Sequence, residues 1–285
     1  MTAKLTFASL WRRLVPLYDE GEAKAVVRML LEDVFGLTWT EICCDGADRL
    51  SVTDVTILAD KMRQLSEGEP IQYVLGQALF DGHVFSVDQS VLIPRPETEV
   101  LVDEVSRWIE ARGRDRRTTV LDIGTGSGCI AISLKLRHAK AEVTAWDISE
   151  AALDTAADNA SELTADVTFE QCDILHAPKD RDRWTIIVSN PPYVCEREKA
   201  DMERRVLDYE PSTALFVPDD DPLRYYKAIV AYAEPAVRKE GLVAFEVNTA
   251  YAGDVEQLMK DGGFVQTKII TDQFGRPRVV TGIKP

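Results

Sequence analysis

The stretch Val120-Leu121-Asp122-Ile123-Gly124-Thr125-Gly126-Ser127-Gly128 runs directly into Cys129-Ile130-Ala131-Ile132-Ser133-Leu134-Lys135-Leu136-Arg137. It reads as a short apolar strand, a turn with glycine at every second position, and a helix over Cys129 to Arg137. Glycines in such a turn let the backbone bend sharply and approach a ligand at the carboxyl edge of a sheet. The dinucleotide fingerprint Gly-x-Gly-x-x-Gly would place its third glycine at position 129, where Cys129 stands, so this Gly-x-Gly-x-Gly form departs from the pyrophosphate-binding loop. On these residues alone, a strand-to-helix turn that binds nothing is the alternative.

Outward from this turn toward the C-terminus, short apolar runs alternate with helical patterns, the signature of a parallel sheet covered on both faces. The expected strands are Val120 to Ile123, Val143 to Asp147, Val167 to Cys172, Thr185 to Ser189, Leu242 to Val247, Val265 to Thr271 and Val279 to Ile283. The expected helices are Cys129 to Arg137, Glu150 to Leu163, a segment within Glu196 to Leu207, Pro222 to Val237 and Ala252 to Lys260. Asp272 to Pro277 is too short for a helix, so the last two strands are expected to be antiparallel.

Toward the N-terminus the texture differs. Leu10, Leu14 and Leu17, then Val26, Val27, Leu30, Leu31 and Val34, then Val55, Leu58, Met62 and Leu65 recur at helical spacing. Ser51 or Thr53 would cap the third helix, and Gly68 followed by Pro70 would end it. From Gln77 to Ile93 the pattern alternates around Asp81-Gly82, a hairpin signal. Pro94 and Pro96 stop the strand, and helical spacing resumes over Glu97 to Arg112. The expected fold is therefore α/β: a helical domain over 1–76, a β-hairpin linker over 77–94, and a Rossmann-like seven-stranded sheet domain over 95–285.

The 285 residues hold 48 Asp plus Glu against 33 Lys plus Arg, a formal charge of −15, with 45 % hydrophobic residues. This is the composition of a globular chain, and one this long buries roughly 70–75 % of its unfolded surface without staples. The acidity argues against affinity built on broad phosphate neutralisation. The five cysteines include the vicinal pair Cys43 and Cys44, and they read as reduced thiols of a cytoplasmic protein. His83, His138 and His176 stand too far from other ligands to suggest a metal. Met1 to Leu17 lacks the pattern of a secretory signal, and no run of about 18 apolar residues suggests a membrane span.

Two further features carry chemistry. Asp147, at the end of the second strand of the sheet and 23 residues after Gly124, can accept the hydroxyls of a ribose; alternatively it caps the helix starting near Ser149. The more specific element is Ser189-Asn190-Pro191-Pro192-Tyr193, after the fourth strand. Two prolines remove two donors and fix two φ angles, so the local carbonyls are stiff and free to accept. Asn190 adds a side-chain oxygen, and Tyr193 a flat face with a polar tip. Such a set can grip a planar group carrying an NH2. An ordinary Pro-Pro turn is the alternative, made less apt by its place beside the glycine turn.

At these residues the sequence resembles class I methyltransferases that use S-adenosylmethionine, in particular those that methylate planar exocyclic or amide nitrogen. Asn-Pro-Pro-Tyr occurs in adenine-N6 DNA methyltransferases and in the glutamine-N5 methyltransferases of peptide chain release factors, the PrmC/HemK family. The resemblance to the second spans essentially the whole chain, through Gly68-Glu69-Pro70-Ile71-Gln72-Tyr73-Val74-Leu75-Gly76, the hairpin, Leu92-Ile93-Pro94-Arg95-Pro96-Glu97-Thr98-Glu99, the glycine turn and Asn190-Pro191-Pro192-Tyr193. It implies methyl transfer to the glutamine of the Gly-Gly-Gln loop of class 1 release factors, giving S-adenosylhomocysteine, by a monomeric cytoplasmic enzyme whose N-terminal domain recognises the substrate.

The resemblance also implies roles. Gly124, Thr125, Gly126, Ser127 and Gly128 would line the methionine part of the cofactor, Asp147 the ribose, and Asp173 and Ile174 the adenine; Asn190 would touch cofactor and substrate. Asn190, Pro191, Pro192 and Tyr193 would hold the substrate, with Asn190, Pro191 and Tyr193 catalytic. The family often has an aromatic residue where Ile174 stands, and a glycine soon after the acid in Glu246-Val247-Asn248-Thr249. Arg95, Glu97 and Thr98 would close over the cofactor, or else serve as helix cap and surface ion pair. A DNA-methylating enzyme is the rival reading, and residues 1–90, with 8 Lys or Arg against 14 Asp or Glu, make no basic clamp for a duplex. A binding module without turnover would leave the intact Asn190 and Tyr193 unexplained.

Overall fold

A computed structural model describes residues 5–113 and 117–285. It divides into two compact units, one of residues 5–77 with Glu203–Tyr209, the other of Ala78–Met202 with Glu210–Pro285.

The first unit holds α1 (Phe7–Trp11), α2 (Glu20–Phe35), α3 (Trp39–Cys43), α4 (Val52–Glu67) and α5 (Ile71–Leu75). Side-chain caps set the starts: Ser51 and Asp54 form a reciprocal capping box on α4, as Thr38 and Glu41 do on α3. Leu10, Leu14, Leu30, Leu31, Leu58, Met62 and Leu65 form its core, whereas Leu17 is exposed. Glu203–Tyr209 joins it through Arg205, which pairs with Glu22 at 2.7 Å and lies over the Tyr18 ring.

The second unit opens with a hairpin, β1 (Gln77–Phe80) and β2 (His83–Ser86). Asp81 and Gly82 both have positive φ, 51° and 74°, the two-residue turn whose twist suits a hairpin. A single turn of 3-10 helix, Pro96–Thr98, then leads into α6 (Glu99–Ala111), so the helix expected from Glu97 begins slightly later. There follow β3 (Thr119–Ile123), α7 (Cys129–Arg137), β4 (Glu142–Asp147), α8 (Glu150–Glu162), β5 (Val167–Gln171) and β6 (Trp184–Ser189). A short parallel pair, β7 (Val194–Cys195) and β8 (Phe216–Val217), comes before and after, in sequence, α9 (Arg204–Tyr209) of the first unit and α10 (Ser212–Leu215) of this one. The chain closes with α11 (Arg224–Ala236), β9 (Val237–Glu246), α12 (Ala252–Asp261), β10 (Val265–Thr271) and β11 (Pro277–Ile283).

Seven strands form one sheet in the order β10-β11-β9-β6-β3-β4-β5. β3 is parallel to β4 and β6, and β11 is antiparallel to both β10 and β9, as the short connection after β10 requires. Alternation splits each central strand between two cores. Val120, Ile186, Val188, Leu242 and Ala244 face α6 and α7, whereas Leu121, Ile123, Ile187, Val243 and Phe245 face α11 and α12. The expected helix within Glu196 to Leu207 is instead a 3-10 segment, Glu196–Asp201, followed by α9, and β9 starts five residues before the expected Leu242. Where strand order reverses, β4 and β6 leave β3 on opposite sides, and the carboxyl ends open a crevice there.

Candidate active site

The glycine turn follows β3 at this crevice. Gly124 and Thr125 donate their N–H groups to the Trp146 carbonyl at 2.8 and 3.0 Å, which fastens the turn to the end of β4. Gly128 caps α7 with φ 81°, and a Cβ there would meet Ile132 Cδ1 at 2.9 Å and Ala156 at 3.1 Å. It is a packing residue, and it does not line the cavity that the rest of the turn lines.

That cavity has an empty volume of about 1200 Å³, and Gly124, Thr125, Gly126, Ser127, Asp147, Asp173, Ile174, Asn190, Pro191 and Pro192 all face it. Asp147 does not cap the following helix; Ser149 does. Its Oδ2 accepts from Gly126 N–H and its Oδ1 from Ser149 N–H, both at 2.9 Å, while burial pushes its carboxyl above the usual range. A carboxylate has about four acceptor positions, so capacity remains for a diol in the cavity. Asp173 is committed locally: it caps the 3-10 turn Ile174–His176, and its hydrogen bond with His176 at 2.7 Å holds its carboxyl below the ordinary value. Ile174 offers an aliphatic face to the same wall. Neutral acceptors, the part-buried Asp147 and apolar walls fit a nucleoside carrying a positively charged arm.

Asn190 projects from the end of β6. Its Nδ2 lies 3.4 Å from Thr98 Oγ1, and Thr98 is buried. This contact uses one of the amide's two N–H donors on Thr98 and leaves Oδ1 as the free acceptor. A second cavity of about 350 Å³ adjoins the first, lined by Tyr193, Glu246, Val194 and Leu215 together with Leu92, Arg95, Asn190, Pro191 and Ala214, which line both. Tyr193 faces only the smaller one and donates its hydroxyl to Glu246 Oε1 at 3.0 Å; burial raises the phenol well above its ordinary pKa.

Several contributors are joined by contacts between residues far apart in the sequence, which its local patterns do not show. Arg95 pairs with the buried Glu210, whose other oxygen accepts from Ile93 N–H at 3.2 Å, which fastens Ile93 and Arg95, either side of the cavity-lining Pro94, to one carboxylate. Asn159 accepts from Ser86 N–H at 2.6 Å and donates to Ser86 and Ser127 carbonyls, so one buried amide joins hairpin and glycine turn. Asp122, beneath the turn, accepts from Thr125 Oγ1 at 2.7 Å and is pushed up to about 7 by burial. Asn248, where the family often has glycine, has φ −61°; it accepts from Ala250 N–H at 3.0 Å and donates to Glu198 at 3.3 Å, so no left-handed backbone is needed there. Arg278 lies 4.0 Å from Glu97. Cys129, with its thiol pushed up to about 12 by burial, is inert. No cluster of metal-binding side chains and no helix long and apolar enough to cross a membrane occurs among the described residues.

Known proteins give the comparison its scale. A family model described as PrmC N-terminal domain matches residues 13–76, and one described as Methyltransferase small domain matches 97–209. The release factor glutamine methyltransferase of Bacteroides thetaiotaomicron is 43 % identical over 275 residues, 90 % of this chain and 97 % of that protein. That of Koribacter versatilis is 38 % identical over 292 residues, covering 100 % of this chain and 99 % of the relative. Among solved structures, the Thermus thermophilus 16S rRNA N2 G1207 methyltransferase in complex with AdoMet and guanosine is 18 % identical with a TM-score of 0.50, over 73 % of this chain and 50 % of that one. At that identity the likeness concerns the fold alone.

Proposed function

This chain belongs to the release factor glutamine methyltransferase family, and on that premise we propose how its residues divide the reaction. The enzyme transfers a methyl group from S-adenosylmethionine to the side-chain amide of a release-factor glutamine. The acceptor is N5 of the glutamine in the Gly-Gly-Gln loop of a class 1 factor. The observation that carries the assignment is the common wall: five residues, Asn190 and Pro191 among them, line both cavities, so a ligand in one meets a ligand in the other at Asn190-Pro191.

In this reading the larger cavity takes the cofactor. The Gly124–Ser127 backbone flanks the methionine arm, Asp147 takes the ribose hydroxyls, and Asp173 and Ile174 border the adenine, Ile174 by apolar contact instead of stacking. The cofactor supplies an electrophilic methyl group on a positively charged sulfur.

The smaller cavity takes the glutamine side chain. An amide nitrogen is a weak nucleophile because its lone pair is delocalised into the carbonyl. Asn190 Oδ1 and the Pro191 carbonyl accept its two N–H groups, return density to nitrogen and aim it at the cofactor side. Thr98 holds Asn190 in the orientation that presents Oδ1. The Tyr193 ring flanks the amide plane. Catalysis is then positioning and electrostatics. No base is needed before transfer, since the nitrogen becomes far more acidic once it carries the methyl group.

A monomer is the working unit in this reading, and a translation-factor substrate supports action in the cytoplasm. The rival DNA substrate is disfavoured by the acidic first 90 residues. Incubation with labelled S-adenosylmethionine and either release factor or duplex DNA is expected to label the release factor alone; label on DNA alone would refute the reading. Asn190→Ala is expected to lower kcat at least ~100-fold, the scale of losing one oriented polar group. If transfer survives that change, the clamp is wrong.

A further inference from the structure

Glu246 ends β9 and lines the smaller cavity. It is 2 % exposed. One carboxylate oxygen, Oε1, receives the Tyr193 hydroxyl, but the other, Oε2, is buried with no hydrogen-bond partner. The Thr98 hydroxyl also faces this carboxyl, and a buried carboxylate so sparsely hydrogen-bonded makes a further acceptor or negative charge beside it unfavourable.

The remaining polar groups on this cavity sharpen the point. Asn190 has a free acceptor oxygen while its Nδ2 contacts Thr98, and the Pro191 main chain has no N–H to offer. Arg95 is the one cation lining the cavity among the described residues, and it is bound to Glu210, whose side chain is 1 % exposed. The cavity therefore presents acceptors at Asn190, Pro191 and Glu246, and its one lining cation, Arg95, is bound to Glu210 and not to Glu246.

We propose that Glu246 is a specificity-determining residue, admitting a neutral side-chain amide to this cavity and turning away the carboxylate of the corresponding glutamate. This rests on the reading that the smaller cavity receives the substrate glutamine. An amide is neutral, and its two N–H donors go to Asn190 Oδ1 and the Pro191 carbonyl. A carboxylate brings acceptors only, and places a second negative charge beside the first where water is largely excluded. The groups facing Glu246 set its charge: burial and Glu97 raise its pKa, and the Thr98 and Tyr193 hydroxyls and Arg278 lower it, while Tyr226 donates to its main-chain carbonyl at 3.0 Å. Exclusion is expected where Glu246 is ionised.

The test is binding competition at mildly alkaline pH. Release factors with the loop glutamine changed to glutamate or to methionine displace a fluorescent wild-type factor from the enzyme. With the wild-type enzyme the glutamate competitor is expected to be at least ~10-fold weaker than the methionine one, the effect of about one pKa unit of charge interaction. With Glu246→Gln, which keeps the shape and loses the charge, the gap is expected to close to about twofold. Equal competitors on the wild-type enzyme would overturn the proposal even if the variant failed to fold, and so would an unchanged gap in a folded Glu246→Gln. A parallel arm follows methylation of the unmodified factor by the wild-type enzyme. Failure there sinks the substrate assignment, whereas success with equal competitors sinks only the role of Glu246.

Discussion

Asp122 lies fully buried under the glycine turn, its carboxyl pushed from an ordinary 3.8 to about 7. Between those two values the folded chain keeps a proton that the unfolded chain has released. Relative to a residue that does not titrate, its contribution to stability therefore falls as pH rises from about 4 to about 7, then levels off. At about 1.4 kcal/mol per pKa unit, the full span is on the order of 4 kcal/mol at most. Asp122→Asn keeps an acceptor for Thr125 and never ionises. Its melting temperature, measured against wild type, is expected to gain by several degrees between about pH 5 and pH 8; a gap independent of pH would show that Asp122 is not the buried acid described. At this scale the sequence was legible wherever neighbouring residues make up the site, as in the glycine turn and Asn190 to Tyr193. The contacts of Thr98 with Asn190 and of Glu246 with Tyr193 were not, because these partners lie 92 and 53 residues apart and no local pattern links them.

Among the elements, α7 and α8 are brought close by a missing side chain. Gly128 sits at φ 81° with no room for a Cβ between Ile132 and Ala156. Gly128→Ala adds both backbone strain and overpacking, and a loss of about 2–4 kcal/mol is expected in denaturant unfolding. A change under about 0.5 kcal/mol would mean that the turn relaxes freely. The sheet was readable because strand residues alternate between two apolar faces, and the hairpin because Asp81-Gly82 demands one turn type. The stretch from Glu196 to Tyr209 was not: it forms a 3-10 segment and a short helix whose placement depends on long-range partners, such as Glu22 for Arg205 and the Glu67 carbonyl for Tyr209.

Over the whole molecule, the net charge of −15 weighs against a DNA substrate in the choice between two kinds of methyltransferase that share the tetrapeptide Asn190 to Tyr193. The same charge is expected to speed encounter with a basic surface on the release factor, so the association rate should fall several-fold from low to physiological ionic strength. A rate that does not slow with salt would remove this steering. That Glu203–Tyr209 belongs to the helical unit lies beyond sequence periodicity, since a six-residue helix carries no mark of the core it joins. The central claim, a methyl group placed on one glutamine amide, is tested most directly by tandem mass spectrometry of release factor treated with the enzyme and S-adenosylmethionine. The account predicts one added methyl on the side-chain nitrogen of the Gly-Gly-Gln glutamine, and a methyl group on any other residue, or none, would contradict it.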